Sequence, residues 1–222
     1  MTEFLEKVGL TSQMFTSIII TIVLCVLAII AGRRIQTIPS GFQNVVEMAI
    51  EKLYGFFEGV MGKYLCKKYF PLIATFFIYI LFSNYIGLLP AAGHVPGFAA
   101  PTSTVNCTAA MALVAFIAMV GIGIYEHRGL GYFKHWFEPF VFLFPLMILE
   151  DLVKPVSLTL RLYGNVFGEE TVASAFFDMV PIGLPVIMQL LAVLMSLIQA
   201  FVFALLAAIY ITEACPEEEE HL

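Results

Sequence analysis

The sequence predicts an all-α polytopic membrane protein, with about five membrane helices plus an amphipathic helix, the last two membrane helices long and steeply tilted. Three observations predict it. Of the 222 residues, 60% are hydrophobic and only 13% charged, and mean hydropathy is +0.93, whereas soluble domains run near half apolar and a quarter charged. Uncharged runs long enough to cross about 30 Å of hydrocarbon at 1.5 Å per residue recur along the chain. One further helical run carries several ionisable residues at membrane depth, where charge is costly. With no internal repeat and no soluble portion, residues 1–222 read as a single membrane domain.

The outer N-terminus, 1–13, carries Glu3, Glu6 and Lys7 instead of a basic leader, so no removable signal peptide is expected. Val8 to Gly32 is free of charge, and span one is expected over 15–32, closed by Arg33 and Arg34. After Pro39-Ser40-Gly41 an amphipathic helix is expected over 41–62. Phe42, Val45, Val46, Ala49, Leu53, Phe56, Phe57 and Val60 recur there at helical spacing opposite Gln43, Glu47, Glu51, Lys52 and Glu58. Such a helix is too polar to cross and belongs in the interface or along a neighbour.

Tyr69 to Tyr125 contains no acid, Lys or Arg, and spans two and three fit over 70–89 and 104–125 around the Pro- and Gly-bearing stretch Pro90 to Pro101. His94 is expected to be solvated in that loop. A polar connection follows, with Tyr132 and Trp136 suited to the headgroup level and His127 and His135 as interfacial polar groups. Basic residues collect after spans one and three, which places those loops inside, the N-terminus outside and the C-terminus in the cytoplasm.

The run 137–177 is helix-like although Glu150, Asp151, Lys154, Arg161, Asn165, Glu169 and Glu170 fall within it. At 1.5 Å per residue it is about 60 Å long, so it must tilt steeply or lie partly along the membrane. Pro155 frees the carbonyl of Asp151 and permits a bend. A last tilted helix over 184–212 carries Gln189 and Gln199, and an acidic tail, 213–222, holds five of the seventeen acids.

The polar residues of 137–177 form a stripe. At about 100° per residue from Arg161, Ser157, Lys154, Glu150 and Asn165 all fall within about 40° on one face. Glu170 lies on the opposite face and Glu169 near +80°. A mid-membrane arginine costs roughly 2.5–3.5 kcal/mol on insertion scales. It serves either as half of a salt bridge to Glu150 or Asp151, or as a fixed cation acting on a carboxylate brought by a partner. Arginine does not deprotonate, so it favours ionisation of that carboxylate without carrying the proton itself. Cys25, Cys66, Cys107 and Cys215 show no CxxC pairing, so neither a disulfide framework nor a metal site is expected.

The run Lys-Pro-Val-Ser-Leu-Thr-Leu-Arg-Leu-Tyr-Gly-Asn-Val-Phe-Gly-Glu-Glu, Lys154 to Glu170, resembles the signature of the a subunit family of rotary F-type ATP synthases. The likeness continues in Ile198 to Phe203, in Ser83 to Pro90 and in Pro101 to Thr104, and Ile148 to Asp151 is similar to bacterial and chloroplast members. It implies a stator channel of the membrane sector that passes protons, or in some members sodium ions, between two offset half-channels through the carboxylates of a rotating c-ring. Arg161 would be the essential arginine, flanked by Asn165 and Gln199. Glu170 would be an acid of the outer half-channel, with Ser157 and Asn84 at further polar positions and Glu150 and Asp151 on the inner access path.

The resemblance also implies as partners the c-ring rotor, the b subunits of the peripheral stalk, the remaining synthase subunits and a bacterial plasma membrane, with no cofactor and no nucleic acid. Two departures stand out. Seven positions before Gln199, where some members carry an ionisable residue, this chain has Ala192. Glu169 stands where some members have a small residue, so it can share the role of Glu170. No phosphate-binding loop, nucleophile elbow or zinc motif is present, so this chain is expected to be a non-catalytic channel subunit, with nucleotide chemistry elsewhere. A self-contained channel or secondary transporter would instead predict related halves with broken helices, and a mere scaffold would not need Arg161 or Gln199 at depth.

Overall fold

The computed structural model describes residues 11–33, 41–88, 100–127, 144–179 and 184–215. They form five α-helices: α1 (Ser12–Arg33), α2 (Phe42–Gly87), α3 (Val105–Glu126), α4 (Phe144–Met179) and α5 (Leu184–Ala214), with a 3₁₀ turn at Pro101–Ser103 before α3. No strand occurs among the described residues, so the all-α polytopic class is borne out. Stretches of α1, α2, α3 and α5 are long and apolar enough to cross a membrane. α4 misses that criterion because of the charges it carries, which is the property that makes it informative.

Two boundaries differ from the sequence reading. The amphipathic segment and span two join into one helical run, in which 63–69, left unassigned between them, is helical. The junction is Gly62, whose φ of 77° and ψ of 162° interrupt the helical geometry there. That conformation is open essentially to glycine alone, because a Cβ would collide with the neighbouring carbonyl. α5 likewise runs past 212 and includes Glu213, which the sequence assigned to the tail. His94, Tyr132, His135, Trp136, the beginning of the 137–177 segment and the glutamate run 217–220 lie outside the described residues.

α5 is the centre of the bundle and packs against α2, α3 and α4. Lipid tails are as apolar as leucine, so helices associate by close packing, and small residues permit it. Ala200, Ala204, Ala207 and Ala208 supply the small surface of α5, and Ala112 and Ala115 that of α3. Phe57, Met61, Leu65 and Ile73 of α2 pack on Ala204, Ala208 and Ile211. Deeper along the bundle, Ile80, Ala112, Ala115, Leu158, Leu162, Ala200 and Phe203 bring four helices together. The amphipathic segment is thus pinned to the end of α5 by Phe57 and Met61, while Val45, Val46, Met48 and Ile50 remain exposed.

Hydroxyls within the helices bond back onto the preceding turn, as Thr75 does to the Pro71 carbonyl at 2.7 Å and Thr159 to the Pro155 carbonyl at 2.8 Å. These bonds satisfy polar groups that lipid cannot. α1 joins the bundle by burying Thr16 and Ile20 and by a 2.5 Å hydrogen bond between Ser17 Oγ and the Tyr79 hydroxyl.

Candidate functional site

α4 buries Leu158, Leu162 and Val166 and exposes Leu152, Val153, Val156 and Leu160. Arg161 stands at the border between these faces and is exposed. Among the described residues no hydrogen bond or ion pair reaches it, so neither Glu150 nor Asp151 is its salt-bridge partner. Asp151 is held instead by Lys154, at 3.0 Å, and Lys154 also reaches Glu213 of α5 at 3.1 Å. Glu150 is exposed and Ser157 half-buried.

The single polar stripe of the sequence therefore separates into three environments. Lys154 turns inward to carboxylates, Arg161 stays outward and unpaired, and Asn165 turns to α5. There Asn165 Nδ2 donates to Gln199 Oε1 at 2.5 Å, and Gln199 is 4% exposed. The bond spans the two helices one turn from Arg161, leaving the second amide group of Gln199, Nε2, without a partner.

More polar atoms are left unpaired nearby. Ser83 Oγ, both amide atoms of Asn84, Thr102 Oγ1 and Ser196 Oγ are buried with no hydrogen-bond partner. Gln189 Nε2 donates to the Leu88 carbonyl, and Phe76 packs on Phe203 with centroids 5.9 Å apart. Those two contacts set α2 and α5 antiparallel and bring Ser83 and Asn84 level with Ser196. The Asn165–Gln199 and Lys154–Glu213 pairs set the register of α4, which brings Glu169 to the same level. Gly87 lets the 3₁₀ turn carrying Thr102 come close, since a Cβ there would lie 2.7 Å from Ala100 Cβ. Glu169 is half-buried, whereas Glu170 is exposed on another face.

All these orphaned atoms lie on one side of the Asn165–Gln199 bond, toward the α2 C-terminus. On the other side lie two ionic clusters: Asp151–Lys154–Glu213, and Lys68 with Glu126 at 2.7 Å, where the Tyr69 hydroxyl also donates to Glu126 at 2.6 Å. Ser83, Thr102, Ser196 and Glu213 were not singled out from the sequence as site residues. Ser196 was within reach of that reading, because it lies one turn before Gln199 on the same face. Among the described residues no group of three His, Cys, Asp or Glu is placed to hold a metal ion. Burial pushes the Cys215 thiol, just beyond α5, up to about 11.

The run from Lys154 to Glu170 lies along α4, with Arg161 one turn from the Asn165–Gln199 bond. A family model described as ATP synthase A chain matches residues 14–212. The chain belongs to the ATP synthase A chain family. Membership makes it a subunit of the F-type membrane sector and a multi-pass membrane protein. Relatives of this family named ATP synthase subunit a include one from Trichlorobacter lovleyi, 45% identical over 89% of this chain and 84% of its own. Another, from Moorella thermoacetica, is 44% identical over 93% of this chain and 92% of its own. A Syntrophotalea carbinolica relative, ATP synthase subunit a 1, is 42% identical over 97% and 90%.

Proposed function

We infer that this chain is the ion-translocating stator of an F-type ATP synthase, in which two offset half-channels load and unload the carboxylates of a rotating c-ring. The observation that carries this is Arg161, exposed beside the apolar face formed by Val153, Val156 and Leu160 of α4 and without a hydrogen-bond or ion-pair partner among the described residues. Its uncompensated cost at depth is offset if a carboxylate delivered from outside the chain supplies the missing pair. Because the guanidinium keeps its charge, it obliges that carboxylate to ionise in passing and blocks a direct ion path between the half-channels.

The orphaned atoms of Ser83, Asn84, Thr102, Ser196 and Gln199 support a water-filled access path on one side of Arg161. Buried polar groups without protein partners are normally satisfied by water. Glu169 and Glu170 are the titratable steps of that path, and the Asn165–Gln199 bond closes its deep end beside Arg161. Glu150 and Asp151 lie toward the other mouth. The positive residues after α1 orient the α2 C-terminus outward and the C-terminus of α5 into the cytoplasm of a bacterial cell.

One charge crossing 100 mV yields about 2.3 kcal/mol, so several passages must be summed by a rotor before ATP can form. The chain supplies ion access and torque, the catalytic subunits supply bond formation, and peripheral-stalk b subunits hold it against rotation. The decisive experiment is ATP-driven proton pumping in membrane vesicles bearing wild type or Arg161→Ala, with and without Na⁺ and a protonophore. Loss of pumping in assembled complex is expected, and the Na⁺ response names the ion. Normal pumping by that variant would overturn the reading.

A further inference from the structure

α4 runs unbroken from Phe144 to Met179 although Pro155 lies inside it. Proline has no N–H, so the Asp151 carbonyl lacks its helical donor, and the ring crowds that carbonyl. An unsupported helix bends or yields at such a point. Pro155 lies six residues, about 9 Å along the axis, from Arg161. Any yielding there moves the guanidinium relative to the rest of the bundle.

An ionic network spans this weak point. Lys154, the residue before the proline, holds the Asp151 side chain at 3.0 Å on the preceding turn and Glu213 of α5 at 3.1 Å. The Lys154 side chain is 14% exposed, and its ammonium lies 5.3 Å from the Tyr210 ring centroid. A small gap bounded by Pro155, Leu158, Met119, Ala207 and Tyr210 sits against it. One end of the network is thus tied to the turn that lost its backbone bond, and the other to the central helix of the bundle.

We propose that the Asp151–Lys154–Glu213 network is a strut that holds α4 straight through Pro155 and so fixes the height and azimuth of Arg161. Lys154 and Glu213 are positioning residues, acting through Arg161 and touching no ion. The proposal rests on the stator reading above, because only a rotor pushing on Arg161 loads the strut.

The test measures protons pumped per ATP hydrolysed in assembled complexes carrying Lys154→Met, Glu213→Gln, Pro155→Ala, and Lys154→Met with Pro155→Ala. Each strut variant is expected to lower the coupling ratio about threefold or more, the scale of one broken network. Pro155→Ala gives the Asp151 carbonyl a donor again, so it is expected to restore the ratio in the Lys154→Met background. Failure of that rescue would show that Lys154 acts by its charge alone and overturn the strut. A normal ratio with less assembled complex would show a role in stability only and overturn it equally.

A second readout does not need Pro155→Ala to fold. Spin labels at positions 146 and 160, both exposed, in a cysteine-free chain within the complex report their separation. Lys154→Met is expected to broaden that distance distribution, and an unchanged distribution would overturn the proposal. Normal pumping by Arg161→Ala would remove the stator reading instead, while the distance measurement still judges the strut.

Discussion

Asn165 of α4 and Gln199 of α5 are joined side chain to side chain at 2.5 Å, one turn from Arg161, which has no partner among the described residues. The bond fixes both amide planes, so the acceptor of Gln199 is used and its donor Nε2 is left for the unpaired groups beyond. A helix-to-helix amide bond in a membrane contributes about 0.6 kcal/mol on average. Its value here is in placing two polar groups beside a charge.

Replacing either partner strands the other. Asn165→Leu and Gln199→Leu are each expected to destabilise by about 1–3 kcal/mol and to slow pumping, since a buried amide loses its partner. The double variant is expected to cost less than the sum, because the stranded group is gone. Pumping per assembled complex and thermal stability of the solubilised complex measure both. Strict additivity would mean that the two amides act independently.

The two adjacent glutamates are expected to differ. Glu169 is half-buried at the level of Ser196, and Glu170 is exposed. Glu170→Gln is expected to slow ion flux without loss of assembly, and Glu169→Gln to slow it at least as much. Passive proton flux through membranes stripped of the catalytic sector separates them. Unchanged flux in Glu169→Gln would leave the relay to Glu170 alone.

Gly87 permits the contact that carries Thr102 toward Asn84. Gly87→Ala would place a Cβ 2.7 Å from that of Ala100, and neither atom can rotate away. Displacing the 3₁₀ turn is expected to cost about 1–3 kcal/mol and to lower flux. Assembly at wild-type level together with wild-type flux would contradict the assignment of Thr102 to the access path.

Gly62→Ala strains the junction within α2, where φ is 77°. The expected cost is about 1–3 kcal/mol. It falls on the seating of Phe57 and Met61 against α5, so early melting of the solubilised complex is expected with the Arg161 site intact. A melting temperature equal to wild type would show that the junction relaxes freely.

Much was legible from residue order because hydrocarbon is an unforgiving solvent. Uncharged length marked α1, α3 and α5, and the run from Lys154 to Glu170 marked the site, since charge at depth is seldom tolerated without use. Local sequence also gave Gly62 as an end point, yet not that the helix resumes at once on its far side. That depends on Leu65 and Cys66 joining the core that Ala204, Ala208 and Ile211 of α5 build, nearly 150 residues away in the chain.

What the sequence by itself determined is the class of molecule, the apolar helices long enough to span, and the run of polar residues in α4 that hydrocarbon would not tolerate without a reason. What only the tertiary structure decided is how those residues pair. Helical periodicity put Lys154, Arg161 and Asn165 within about 40° on one face, and small rotations of that order decide which neighbour each side chain meets. Packing of Leu158 and Leu162 against α3 and α5 turned Lys154 toward Glu213 and Asn165 toward Gln199, leaving Arg161 at the rim. Periodicity specifies a face of one helix, but a partner belongs to another helix, and only the register between them selects it.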